Sequence, residues 1–70
     1  MPYKDFGRRV RDQRKLARMT QEQLAEKAGI SYTFVGHIER GTRNCSVDTL
    51  VKLSNALMVS PNTLCVPFLS

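Results

Sequence analysis

The 70-residue sequence is poor in the groups from which catalytic and metal sites are built. It has a single histidine, His37, and two cysteines, Cys45 and Cys65, with no C-x-x-C pair, so a structural zinc ion would lack its ligands. Nothing in the sequence suggests secretion, and the two cysteines therefore read as reduced thiols rather than a disulfide. No run of about 18 apolar residues is present that could cross a bilayer. The opening stretch MPYKDFGRRV scatters charge where a signal peptide needs an apolar segment. There is no Ser/His/Asp or Cys/His set and no glycine-rich phosphate loop, and a small helical domain offers little room for a pocket. These gaps argue against an enzyme and against a cofactor, and they fit a cytoplasmic protein with no membrane contact.

What is present is apolar material and positive charge. At 41% hydrophobic and 24% charged residues there is enough for a core, which argues against disorder. Eleven Lys and Arg against six Asp and Glu give a net charge of +5, which points to a polyanionic partner. On charge alone that partner could be DNA, RNA or an anionic membrane surface. The length allows one domain at the small end of the range, where stability is marginal and self-association would help.

The most informative stretch is TQEQLAEKAGISYTFVGHIER, from Thr20 to Arg40. Thr20 and Gln23 have the spacing of a capping box, so a helix is predicted to start at Gln21. Met19 and Leu24 are placed as a hydrophobic staple across that start. Gly29 can take the left-handed conformation that ends a helix, and Ser31 is a second N-cap, so another helix begins at Tyr32. On that second helix Phe34, Val35 and Ile38 share one side, while Tyr32, Thr33, Gly36, His37 and Arg40 share the other. Helix, tight turn and helix is the arrangement whose second member can enter the DNA major groove.

The flanking segments are helical too. From Tyr3 to Arg18, Tyr3, Phe6, Val10 and Ala17 recur at helical spacing, with Lys4, Arg8, Arg11, Lys15 and Arg18 as a basic stripe on another side. The stripe is either a solvated face or a phosphate-contacting one, and Leu16 belongs to neither stripe. Arg14 falls on the packed side, where a bare cation is costly, so it needs an acidic partner. Gly41 closes the third helix, Thr42, Arg43, Asn44 and Cys45 form a polar loop, and Ser46 caps a helix from Val47 to Leu57. Leu50, Leu53, Ala56 and Leu57 face the core there. Ser60 and Pro61 open a short last helix. The apolar tail that follows, from Leu64 to Leu69, either folds over its own core or forms a homodimer contact.

Arg14, Thr20-Gln21, Leu24-Ala25, Gly29-Ile30-Ser31, Ile38-Glu39-Arg40-Gly41, Leu50, Leu53, Ala56-Leu57, Val59-Ser60-Pro61 and Leu64 together resemble the phage-repressor (Cro-like, lambda-repressor-like) helix-turn-helix family. The resemblance covers most of the chain and implies an all-α, five-helix DNA-binding domain with its helix-turn-helix over about residues 20–40. It also implies that Arg14 pairs with Glu39 beneath the surface, that Gln21 touches the DNA backbone and braces the recognition helix, and that the loop after Gly41 meets phosphates. A dimer contact from the fourth-to-fifth helix region is implied as well, for which Val59, Leu64, Val66 and Phe68 are the candidates. The family usually has glycine where this chain has Met58, so the turn there is expected to differ locally.

The function expected is a sequence-specific double-stranded DNA-binding transcriptional regulator. Ser31, Tyr32, Thr33, Gly36 and His37 are the candidate base readers, and Gln21, Arg40, Thr42, Arg43 and Asn44 the candidate phosphate contacts. Gly36 either lets the backbone approach the groove closely or is a tolerated surface glycine. One recognition helix reads few base pairs, so a dimer on a pseudo-palindrome is expected, with half-sites about 34 Å apart. With no effector domain, no small-molecule inducer is expected. Rival readings are a DNA-binding antitoxin whose apolar tail grips a toxin, and an RNA or protein adaptor working through the basic first helix.

Overall fold

Three side-chain caps divide the chain into helices. The computed structural model describes residues 2–43 and 45–64, with side chains from residue 4 onward. The helices are α1 (Pro2–Leu16), α2 (Gln21–Ala28), α3 (Tyr32–Arg40) and α4 (Val47–Leu57), followed by a last helical turn, α5, at 61–64. No strand occurs among the described residues, and no helix there is long and apolar enough to cross a membrane.

The caps fall where the sequence puts them. Thr20 Oγ1 accepts from the Gln23 N–H at 3.0 Å while the Thr20 N–H donates to Gln23 Oε1 at 2.8 Å, completing the reciprocal box. Ser31 Oγ accepts from the Phe34 N–H at 3.0 Å, and Ser46 Oγ from the Thr49 N–H at 3.2 Å. Each satisfies a first-turn donor that has no partner inside its helix.

The C-termini also share one device, in which an N–H reaches back five residues. Met19 donates to the Arg14 carbonyl at 3.1 Å, Ile30 to Ala25 at 3.0 Å, Thr42 to His37 at 3.1 Å and Val59 to Ser54 at 3.0 Å. The geometry needs a left-handed residue just before the donor. Gly29 and Gly41 supply it for α2 and α3, at φ 71° and 75°. For α1 and α4 the residues are Arg18, at φ 58°, and Met58, at φ 59°. The turn after α4 is therefore the left-handed one, with Met58 in glycine's place, against the expected local difference. The side chain is 90% exposed and meets no obstacle, so only the local backbone penalty of about 1 kcal/mol stands against it. Likewise α1 stops at Leu16 rather than running to Arg18, because Arg18 closes it.

Met58→Gly and Arg18→Gly are each expected to raise stability by up to about 1 kcal/mol, less what glycine's unfolded-state entropy removes. For a domain this size that is a rise in Tm of roughly 4–8 °C per kcal/mol. A thermal melt showing no gain in either variant would mean that the two residues relax out of the left-handed region.

The core is built from Phe6 and Val10 of α1, Leu24, Ala25 and Ala28 of α2, Val35 and Ile38 of α3, Leu53, Ala56 and Leu57 of α4, and Leu64 of α5. α3 packs against both α1 and α2, and α4 against α2. Two of the proposed dimer residues are thereby placed. Leu64 is fully buried in its own chain's core and is not available to a partner, because the last turn folds its apolar residue inward. Val59 is half-buried against the same core. Val66 and Phe68 lie outside the described residues. Leu16 is 75% exposed, consistent with its place off both stripes of α1.

α1 crosses the end of α3 with almost no gap. A β-carbon at Gly7 would lie 2.2 Å from the Ile38 carbonyl oxygen and 2.9 Å from that of Glu39. At Gly41 it would lie 2.8 Å from Lys4 Cγ and 2.9 Å from Lys4 Cα. Two glycines, one on each side, thus make a seam that sets the distance between these helices.

Candidate nucleic-acid interface

α3 is held from behind by buried charge. Arg14 Nε donates to Glu39 Oε2 at 2.6 Å and Arg14 Nη2 to Glu39 Oε1 at 3.0 Å, a two-pronged pair between α1 and α3. Arg14 Nη1 also donates to the Met19 carbonyl at 2.8 Å, and Gln21 Nε2 to Glu39 Oε1 at 3.1 Å. The Glu39 side chain is only 3% exposed and that of Arg14 12%. Every polar group in the cluster is matched, as a buried charge requires. One carboxylate therefore ties the start of α2, the end of α1 and the last turn of α3 together. The pair anticipated between Arg14 and Glu39 is present, and so is the bracing part of the role anticipated for Gln21.

With Val35 and Ile38 fully buried and Phe34 half-buried, the opposite side of α3 is left open. Ser31, Tyr32 and Thr33 are exposed at its N-terminal end, Tyr32 at 55%. Ser31 Oγ already accepts the cap hydrogen bond, so the hydroxyl hydrogen is what it has to offer outward. His37 is half-buried, with Nδ1 lying 3.2 Å from Thr42 Oγ1 and 3.3 Å from Arg40 Nη2. A guanidinium can only donate, so the Arg40 contact requires the neutral ring's proton on Nε2. Thr42 Oγ1 also lies 3.2 Å from the His37 carbonyl oxygen, to which it donates.

Gly36 departs from the reading of the sequence. The spacing puts it on the open face, but it is buried, because the Arg40 side chain lies over it. A β-carbon at Gly36 would lie 3.1 Å from Arg40 Nη1. The cause is the way helical side chains lean toward the N-terminus, which carries the guanidinium back over the preceding turn. Arg40 itself is exposed, as are Thr42 and Arg43 in the loop beyond α3; Asn44 lies outside the described residues.

Lys4, Arg8, Arg11, Lys15 and Arg18 are all exposed, as the stripe pattern implies. Arg8 pairs with Asp5 at 3.0 Å, a solvated contact that contributes little. The His37–Arg40–Thr42 cluster was not anticipated from sequence. The three residues do sit at helical and cap spacing, which is the signal by which it could have been found.

Two helices joined by a tight left-handed turn, the second braced from behind by buried charge and open on its outer side, define a helix-turn-helix DNA-binding domain. A helix-turn-helix family model matches residues 10–64, which is most of the chain. The control protein C.BamHI of Bacillus amyloliquefaciens is 45% identical over 60 residues, covering 84% of this chain and 74% of that protein. Some curated relatives are longer: the chain spans 43% of a Mycobacterium tuberculosis helix-turn-helix-type regulator and 40% of the immunity repressor of Bacillus phage phi105. Among solved structures, the restriction-modification controller protein C.AhdI of Aeromonas hydrophila superposes with a TM-score of 0.87 at 39% identity, covering 89% of this chain and 94% of that one. The P22 c2 repressor, solved with a synthetic operator, gives a TM-score of 0.79 at 32% identity over 84% of this chain and 89% of its own. The chain belongs to the Cro-like helix-turn-helix family of DNA-binding transcription regulators.

Proposed function

We propose that this protein binds a pseudo-palindromic operator as a homodimer in the cytoplasm, each copy placing α3 in the major groove, and that it acts by binding alone without catalysis. The observation that carries the reading is the open outer side of α3, where Ser31, Tyr32 and Thr33 stand clear of the protein's own packing and half-buried His37 lies beside Arg40 and Thr42, while Glu39 locks the side behind them. Thr33 offers a methyl or hydroxyl and His37 an Nε2 donor to base edges. Phosphate contacts fall to Thr42 and Arg43 in the loop, to Asn44, which lies outside the described residues, and to Gln21, whose backbone N–H stands at the N-terminus of α2, where an anion is favoured. Net positive charge supplies the first, sequence-blind attraction.

The exposed apolar residues Val47, Val51 and Met58, on and just past α4, with half-buried Val59 beside them, support the fourth-to-fifth helix region as the dimer contact, now without Leu64. Likeness to control proteins such as C.BamHI and C.AhdI favours restriction–modification genes as the regulated ones. An endonuclease or methyltransferase gene beside this one would agree with that assignment, and a toxin gene would point to the antitoxin alternative.

Selection of bound sites from random duplexes, with single-stranded DNA and RNA as competitors, tests the reading. His37→Ala is expected to weaken binding at one base position per half-site by roughly 1–3 kcal/mol. Arg43→Ala should weaken all sequences alike and lower the salt slope by about one. An unchanged consensus in His37→Ala would remove it from the reading face, and indifference to duplexes at low salt would sink the whole assignment.

A further inference from the structure

Arg40 occupies the last position of α3, where a side chain would be expected to reach outward to the DNA backbone. Its guanidinium is instead held one turn back, above Gly36, toward the middle of the outer face. A turn is about 5.4 Å of helix, enough to carry the group from the rim of a groove toward its floor. Two observations show a built seat. Gly36 is buried beneath Arg40, and the absence of a β-carbon is what makes the room, since that atom would stand 3.1 Å from Nη1 and 3.7 Å from Cζ. His37 Nδ1 lies 3.3 Å from Nη2 and fixes one edge of the fork. Thr42 Oγ1 sits beside the ring, 3.2 Å from Nδ1, while its hydroxyl hydrogen goes to the His37 carbonyl oxygen.

We propose that Arg40 is a specificity-determining residue that reads a guanine in the major groove, with Gly36 as its seat and His37 as its orienting neighbour. The inference rests on the DNA-binding reading above and deepens it, reassigning Arg40 from phosphate to base. A guanidinium has five N–H donors in a rigid fork. His37 takes one edge, and the rest of the fork is on the exposed side of α3, matched to the paired acceptors O6 and N7 of guanine. A side chain already parked on the reading face loses less freedom on binding than one that must be recruited from solution. Gly36, unfavourable inside a helix, then has a purpose beyond tolerance.

The experiment is site selection from random duplexes followed by titration at several salt concentrations, using the full chain as wild type, Arg40→Ala and Gly36→Ala. The wild type is expected to select a guanine at one position of each half-site. Arg40→Ala should lose that preference, by about 5- to 150-fold, while every other position of the consensus is kept. Gly36→Ala meets only the flexible end of Arg40, so it should fold at least as stably as wild type, as a thermal melt would show, yet discriminate less at that same base pair and no other. If Arg40→Ala keeps the full consensus and loses affinity uniformly, with the salt slope lower by about one, Arg40 is a phosphate contact and the proposal is overturned. A Gly36→Ala protein as selective as wild type overturns the seat. Failure of the wild type to bind any duplex would instead refute the underlying reading, and the two failures appear in different arms.

Discussion

Glu39→Ala is expected to lose about 3–5 kcal/mol of stability, the cost of stranding a buried charge by removing its partner. The Arg14 guanidinium would be left with the Met19 carbonyl as its one acceptor, at a place where its side chain is 12% exposed. Gln21 would lose the acceptor for its amide as well. A 70-residue domain has roughly 3.5–10 kcal/mol in total, so the variant should be largely unfolded or melt far below the wild type. The desolvation cost that makes the single variant so damaging also makes the intact pair a poor net stabiliser. Arg14→Met combined with Glu39→Met should therefore recover much of the loss, and fall short of full recovery because Met19 and Gln21 stay without partners. Urea denaturation of the three proteins separates these outcomes. A single-variant loss under about 1 kcal/mol would class the pair with screened surface bridges.

A consequence for binding follows from where Glu39 sits. It lies on the same turn of α3 as Arg40 but points the other way, toward α1 and α2. Its removal should loosen the angle between α2 and α3. DNA affinity in the surviving folded fraction should then fall even though no DNA-facing group has changed, because each reader is aimed by its helix.

How much of this was legible in the sequence depends on the range of each interaction. Thr20, Ser31 and Ser46 act on amides three residues away, and Gly29 and Gly41 on the turns that they close, so all five could be read from neighbours alone. The apolar spacing on α3 likewise placed Val35 and Ile38 inside and Thr33 outside. The need of Arg14 for an anion was visible, but its partner, 25 residues distant, came through resemblance to the family and not from spacing. Leu64 opens an apolar tail that by sequence could either fold over its own core or meet a second copy, and tertiary packing decides for the core. At Met58 and Arg18 a local preference was overridden by the hydrogen bonds that close α4 and α1. Gly36 is closed off by a side chain from its own helix, which the spacing of apolar and polar residues along α3 does not reveal.

Gly7→Ala is the change on which sequence and structure disagree most sharply about sign. By helix propensity alone the replacement in α1 should gain up to about 1 kcal/mol. The structure predicts a loss, because the new β-carbon would be 2.2 Å from the Ile38 carbonyl oxygen, a backbone atom that cannot swing aside as a side chain does. Either α1 must move away from α3 or the last turn of α3 must open. The first lifts Phe6 and Val10 from the core; the second disturbs the turn that carries Glu39 and Arg40. Overpacking of this kind costs roughly 1–3 kcal/mol, and more where backbone must shift, so the variant is expected to melt well below the wild type. Gly36→Ala is the matched control: the same substitution, also inside a helix, but facing the end of a flexible side chain. If both variants are stabilised by the same amount in denaturant titrations, α1 does not press on α3 at Gly7. If Gly7→Ala falls while Gly36→Ala holds or rises, the glycine seam is what sets how closely the recognition helix is backed by the first.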